Sequence, residues 1–474
     1  YNPWWQNPGW PAVDEELLAL QSSPVRLPTP LIDDWNLIDP GLSTIRGPRQ
    51  VGKSTLLKLL ARRAMEEGRR AGQVIYLTLD LLRGRPLTEL DAAVARAKEL
   101  SGATKGALVL LDEVTIVEGW DIGVKEMWDS GLLRGDIVIC TGSSASDLLE
   151  GAVERWPGRR GGGDDYLVLP QGFASFAQVL DSTVPTSPAL SVGQLLEPRG
   201  QQLLLEARVF ETSLRLSFER YLRFGGLPIA VAEAVAGRAL PSRRTTRVFS
   251  DSLAREVVRR GFSEPGTYAL LERIARSLGS MVNWSAMGQE MDVPLNENLR
   301  RDGATSGQTV RKYVERLAAT YFSLIVYAWK SDLVGNDLAR EKKLYFGDPL
   351  LYSMIREVAG GPPEDVPALV ENVIALTLYR HYEPEYAQLY GFAMPTRLHF
   401  WRSKRGTEVD FLAGPRSNFD AVEIKFQRRI DRRHLTGMLR AFPGRPVVIA
   451  TQDELVLGDN SALIPAHLLA WALG

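Results

Sequence analysis

Short apolar-rich segments at 43–46, 74–79, 107–111 and 136–140 alternate with segments whose apolar residues recur every three and four positions, at 55–60 and 91–100. The run Ala107-Leu108-Val109-Leu110-Leu111 has no polar face. A continuous apolar run suits a central parallel strand buried on both faces. Strand–helix alternation predicts a three-layer α/β domain with a parallel sheet over residues 41–180. Before it, residues 1–40 place Trp4, Trp5 and Trp10 among prolines. No regular helix or central strand fits there. The stretch reads as an arm packed on the domain body or on a neighbouring subunit, or as an aromatic platform for bases.

Beyond 180 the pattern changes. Residues 181–200 carry three prolines and many small polar residues and read as a linker or surface loop. They open a helical lid or linker region over 181–262, with helices predicted at 201–216, 218–224, 228–236 and 247–260. Gly225-Gly226-Leu227-Pro228 breaks that run sharply. In the segment 309–317, Val310, Tyr313, Val314 and Leu317 share one helix face. Arg311, Lys312 and Arg316 lie on or near the other. With a helix around 284–291 before it, this resembles a winged helix-turn-helix over 263–345, whose basic residues would contact DNA. A solvated helix that bridges domains has the same pattern. In the last segment, 346–474, Thr407-Glu408-Val409-Asp410-Phe411-Leu412 and Ala421-Val422-Glu423-Ile424-Lys425-Phe426 alternate with period two. Glu408 and Asp410 then share one strand face, and Glu423 and Lys425 share a face of the next.

Composition narrows the classes. The 474 residues are 45% hydrophobic and 24% charged, which fits several globular domains. Net charge is −1, so any DNA-binding surface must be a local patch. The single cysteine, Cys140, excludes an internal disulfide framework and a cysteine cluster for zinc, and it reads as a buried small hydrophobe. No run reads as a membrane span or signal peptide, and a cytoplasmic location is expected.

Chemistry enters with Gly47-Pro48-Arg49-Gln50-Val51-Gly52-Lys53-Ser54, which spells G-x-x-x-x-G-K-S between a predicted strand and a predicted helix opening at Thr55. That order aims backbone N–H groups and a positive helix end at a polyphosphate. ATP and Mg²⁺ are the expected cofactors, with Lys53 on the β- and γ-phosphates and the Ser54 hydroxyl on the ion. The next apolar strand ends in Asp112-Glu113. Two carboxylates at the end of a buried strand are costly without a task. Asp112 would serve the metal, and Glu113 would orient and deprotonate the attacking water. At the end of the following strand, Thr141 or Ser143 would sense the γ-phosphate, and a plain small-residue turn reads the same way.

A second constellation lies near the end of the chain. Asp410, Glu423 and Lys425, with Glu371 on a helix predicted at 368–379, resemble the PD-(D/E)XK nuclease superfamily. Glu371, Asp410 and Glu423 would hold Mg²⁺ or Mn²⁺, and Lys425 would orient water or stabilise the transition state. An inert nuclease-like fold that only grips DNA would carry the same residues.

Together these motifs resemble a family of archaeal and bacterial ATP-binding proteins. Its members pair an AAA-type ATPase with a C-terminal domain of unknown function that ends in a nuclease-like fold. Tyr1-Asn2-Pro3-Trp4-Trp5, Leu110 to Glu113, Gly225 to Pro228, Lys343-Leu344-Tyr345-Phe346-Gly347-Asp348, Glu371-Asn372 and Phe400-Trp401-Arg402 carry the likeness in that order. The start of the chain looks like that of archaeal members. The resemblance implies a homo-oligomer capable of forming a ring, in which an arginine crosses the subunit interface to the γ-phosphate. Arg159 matches the family's Gly-Arg position, and Arg155 is a second candidate. The expected activity is an ATP-driven motor that moves or remodels DNA. The alternatives are a nucleotide-dependent switch and an ATP-gated, metal-dependent nuclease.

Overall fold

The computed structural model describes all residues except 1, 26–31, 34, 104, 143–155, 157–160, 260–262, 292–304, 331–340, 361–362, 389–390 and 404–405. The chain forms two units, Tyr1–Leu169 and Pro170–Gly474.

In the first unit, β1 (Gly41–Arg46), β2 (Val74–Thr78), β3 (Leu108–Asp112), β4 (Ile137–Thr141) and β5 (Asp165–Leu167) form one sheet in the order β2-β3-β4-β1-β5. Every pairing is parallel. Leu108 and Leu110 pack into one core with Leu56, Leu57 and Leu60 of the helix Lys53–Glu66. Val109 and Leu111 pack into the other core, with Leu90 and Val94 of Leu87–Ser101 and Val124 of Trp120–Asp129. The unpolarised apolar run is thus consumed on both faces, and the three-layer α/β expectation holds. Cys140 is fully buried in the second of these cores.

The arm packs on its own unit. β2 is an edge strand, and the side chains of the arm pair with its backbone as another strand would. Asn2 accepts from the Tyr76 N–H at 2.6 Å and donates to the Tyr76 carbonyl at 3.1 Å. The indole N–H groups of Trp4 and Trp5 both donate to the Val74 carbonyl, at 2.8 and 2.9 Å. Covering an edge in this way removes a template for pairing with another chain. Trp4 and Trp10 are each 2% exposed, with ring centroids 4.8 Å apart.

In the second unit, nine strands form one sheet in the order β13-β14-β12-β11-β10-β9-β7-β8-β6. They are β6 (Met281–Val282), β7 (Ser323–Ala328), β8 (Lys342–Phe346), β9 (Leu398–Arg402), β10 (Glu408–Ala413), β11 (Asp420–Ile424), β12 (Val447–Thr451), β13 (Val456–Leu457) and β14 (Ser461–Pro465). The helices Glu264–Arg276, Trp284–Gln289 and Gly307–Ala319 surround β6 in sequence and precede the antiparallel pair β7–β8. β7 then pairs in parallel with β9, so the sheet runs on without a break. The boundary expected at 345/346 falls inside β8.

The segment read as a linker is fixed rather than loose. It contains the helix Val192–Leu196, opened by a capping box between Ser191 and Gln194. The Val192 N–H donates to the Tyr382 hydroxyl at 2.7 Å, and the Gly193 N–H donates to the Asp420 carboxylate at 3.2 Å. Proline content reports the absence of regular structure, whereas these anchors come from residues about two hundred positions away. Similarly, Gly225, at φ +63°, abuts the buried Asp348, whose carboxylate accepts the Gly226 N–H at 2.9 Å. A Cβ at Gly225 would lie 1.7 Å from that carboxylate, so the glycine pair and the Gly347-Asp348 motif form one contact.

Two predictions follow from this packing. Trp4→Ala removes a buried indole and one of the hydrogen bonds covering the edge strand. It should cost about 3–5 kcal/mol in urea denaturation and raise the tendency to associate in light scattering. His399 on β9 is 2% exposed, and its Nε2 lies 3.3 Å from the Arg416 guanidinium, which can only donate. Burial, and then the Arg416 charge, depresses its pKa to about 3. The folded state therefore binds fewer protons than the unfolded state between pH 3 and 6.5, and stability falls as pH drops below 6.5. Between pH 6.5 and 4.5, His399→Gln should lose about 2–3 kcal/mol less stability than the wild type, read from urea midpoints at each pH.

Candidate nucleotide site

The phosphate loop joins β1 to the helix Lys53–Glu66, whose N-cap Gly52 is left-handed at φ +101°. Gly47 is at φ +147°, and a Cβ there would lie 2.1 Å from the Val168 carbonyl, so the loop's first glycine is required by the backbone that passes beside it in the same unit. Pro48 is buried, Arg49 half-buried and Gln50 exposed at φ +65°, while Val51 anchors the loop in the core. Lys53 is 5% exposed and donates to the carbonyls of Gly47 at 3.0 Å and Pro48 at 2.9 Å. Ser54 and Thr55 follow on the first helical turn, half-buried.

Asp112 ends β3 and is 3% exposed. One carboxylate oxygen accepts the Thr141 hydroxyl, and the other accepts the Tyr76 hydroxyl at 2.8 Å. The Glu113 N–H in turn donates to Thr141 Oγ1 at 3.0 Å. A threonine hydroxyl has a single proton, and here it goes to Asp112. Thr141 therefore links the Asp112 carboxylate to the Glu113 backbone. Glu113 is half-buried and sits at φ +56°, an uncommon conformation for a side-chain-bearing residue that clusters at functional sites. Tyr76 is the residue that sequence reading missed. Burial and then the Asp112 charge hold its phenol well above its ordinary pKa, so it remains a donor. Its signal was present as the one polar tip in the apolar stretch Val74-Ile75-Tyr76-Leu77, on a strand separated from β1 and its loop by β3 and β4. Ser143, Arg155 and Arg159 lie outside the described residues.

In the second unit, the register Phe411↔Val422 puts Asp410 opposite Glu423. The Asp410 N–H donates to Glu423 at 3.1 Å, and the Ile424 N–H donates to Asp410 at 2.8 Å. Lys425 pairs with Glu423 at 2.6 Å. Glu371 comes from the helix Val366–Tyr382, where the next residue, Asn372, brackets the Phe346 backbone at 2.7 and 3.1 Å. The four expected residues are thus brought to one place, but a fifth lies among them. Lys343 of β8 pairs with Asp410 at 2.7 Å, Glu408 at 2.7 Å and Glu371 at 3.1 Å. Tyr345, two residues on, donates to Glu371 at 2.6 Å. Burial, and then the Asp410 charge, raise the pKa of both Glu371 and Glu423. Glu371 and Asp410, two of the three residues expected to hold a metal, thus also face an ammonium. Among the described residues, no group of three or more His, Cys, Asp or Glu side chains is arranged to hold a metal ion.

On the helix Gly307–Ala319, Val310, Tyr313, Val314 and Leu317 are buried as read. Arg311 pairs with Glu315 at 2.7 Å, Lys312 is exposed and Arg316 is half-buried.

Thr141→Val should leave the Glu113 N–H unpaired and Asp112 with one donor fewer. Any Mg²⁺-dependent ATP turnover should fall about 10–100-fold, the usual cost of losing an orienting partner. Tyr76→Phe should lower it in the same direction. Steady-state phosphate release, beside binding of a fluorescent ATP analogue, checks this.

Residues 39–177 match the AAA domain family. Residues 215–360 and 367–469 match two domains of unknown function, DUF8612 and DUF4143. No curated protein matches the chain. Among solved structures, the ORC2 protein of Aeropyrum pernix, in ADPNP–ADP complexes, is 13% identical over 68% of this chain and 88% of its own, with a TM-score of 0.33. The ORC1 protein of the same organism, in complex with DNA, is 13% identical over 76% and 97%, with a TM-score of 0.30. PCH-2 of C. elegans is 19% identical over 34% and 45%, with a TM-score of 0.22. No helix among the described residues is long and apolar enough to cross a membrane. The family match, together with the loop, the strand-tip carboxylates and the parallel sheet, makes the N-terminal unit an AAA-type P-loop domain.

Proposed function

We propose that this protein hydrolyses ATP and uses the cycle to move or remodel DNA, with the second unit gripping the DNA rather than cutting it. The observation that carries the proposal is the clamp of Asp112 and Glu113 by Thr141, one strand away from a P-loop with its lysine at the base. A magnesium nucleotide supplies the phosphoanhydride to be split and the charge that neutralises its oxygens. Lys53 would exchange its loop carbonyls for phosphate oxygens. Ser54 and Asp112 have the oxygen donors suited to the ion. Glu113, its backbone fixed by Thr141, would orient water and take its proton. The homo-oligomeric ring and an arginine contributed across its interface, Arg159 or Arg155, belong to the same reading.

The DNA element of the proposal rests on the succession of helices Glu264–Arg276, Trp284–Gln289 and Gly307–Ala319 before the hairpin β7–β8. That order suits a winged helix-turn-helix, with Lys312 on the open face of its last helix. The pairing of Arg311 with Glu315 favours a second reading, in which the protein is a nucleotide-dependent switch and this module recognises a protein partner.

ATP hydrolysis with Mg²⁺, measured with and without forked and four-way-junction DNA at stated salt, separates the two. Stimulation by DNA that vanishes in Glu113→Gln is the expected result. Turnover indifferent to DNA, with assembly that changes in sedimentation on adding an ATP analogue, would move the assignment to the switch.

A further inference from the structure

The acid set of the second unit is organised around a lysine that none of the nuclease-like positions accounts for. Lys343 is 1% exposed, and its ammonium has three carboxylate neighbours on two elements, Glu371 on the helix and Glu408 and Asp410 on β10. The ammonium donates to Glu371 at 3.1 Å and to Asp410 at 2.7 Å, and Glu408 completes the ion pairs at 2.7 Å. The ammonium and the three carboxylates form one buried cluster. A divalent cation bound by Glu371 and Asp410 would share their carboxylate oxygens with this ammonium, and two cations at such spacing repel strongly in a buried site.

We propose that Lys343 is the resident cation of this site and that it stands in place of a divalent metal. The lysine comes from β8, the outer strand of the pair β7–β8, whereas the acids come from β10 and the helix Val366–Tyr382. The carboxylates therefore tie the hairpin to the nuclease-like end of the sheet. Lys425 neutralises Glu423 in the same way, 2.6 Å away. This assignment is independent of nucleotide hydrolysis in the first unit, and either can fail without the other.

The test is Mn²⁺ binding to the intact, nucleotide-free protein, followed by electron paramagnetic resonance of free Mn²⁺. Wild type and Asp410→Asn should bind equally, since Asp410 holds no metal. Lys343→Ala should gain one site at least tenfold tighter than any Asp410-dependent binding in the wild type, and the double variant with Asp410→Asn should lose it. A wild-type site that disappears in Asp410→Asn overturns the proposal, and so does a folded Lys343→Ala protein that gains nothing. Circular dichroism establishes folding. If Lys343→Ala does not fold, the comparison of wild type with Asp410→Asn decides alone.

Discussion

A carboxylate buried at the end of a strand must find donors or a cation, and both units are arranged by that requirement. Asp112 takes the hydroxyls of Tyr76 and Thr141. Asp136, fully buried, takes Lys98 at 2.5 Å and the Ala107 N–H at 2.9 Å. Asp348 takes the N–H groups of Gly226 and Leu350, each at 2.9 Å, and burial raises its pKa to about 6. Asp420 takes the Tyr382 hydroxyl and the Gly193 N–H. These pairings fix how the helices and loops meet the two sheets more specifically than apolar packing does, because a misplaced partner leaves a charge unanswered.

The two acid sites use the requirement differently. At the candidate nucleotide site the donors to Asp112 are neutral hydroxyls, which position it without adding a positive charge. In the second unit the partner of Asp410 is itself a cation, and the negative charge is already answered. The same residue type at a strand end therefore serves two chemistries, set by what a neighbouring strand brings to it.

This contrast explains what was legible in the sequence. The parallel sheet, the loop and Asp112-Glu113 could be read because they are local: apolar runs, glycine spacing and strand ends lie within a few residues of each other. The meeting of Glu371, Asp410, Glu423 and Lys425 could be read from strand period and residue type. Tyr76 and Lys343 could not be assigned, since their partners lie 36 and 67 positions away. The alternation around Lys343 did carry a sign, because Lys343 and Tyr345 share one face of a strand whose other face is Leu344 and Phe346. The fixed path of residues 181–200 was hidden for the same reason: its anchors Tyr382 and Asp420 are remote.

The unbroken nine-stranded sheet also bears on where the second unit can be divided. Matches to two different families meet near residue 360, which invites a cut there, but β7 lies between β8 and β9. A fragment beginning after the hairpin would lose β6, β7 and β8 together and leave β9 as a bare edge, with Asp410 and Glu371 stripped of their ammonium. The limits of the family matches and the limits of the sheet therefore do not coincide, and an excision, fusion or swap that keeps the sheet whole has to take the region from Pro170 onward as one piece.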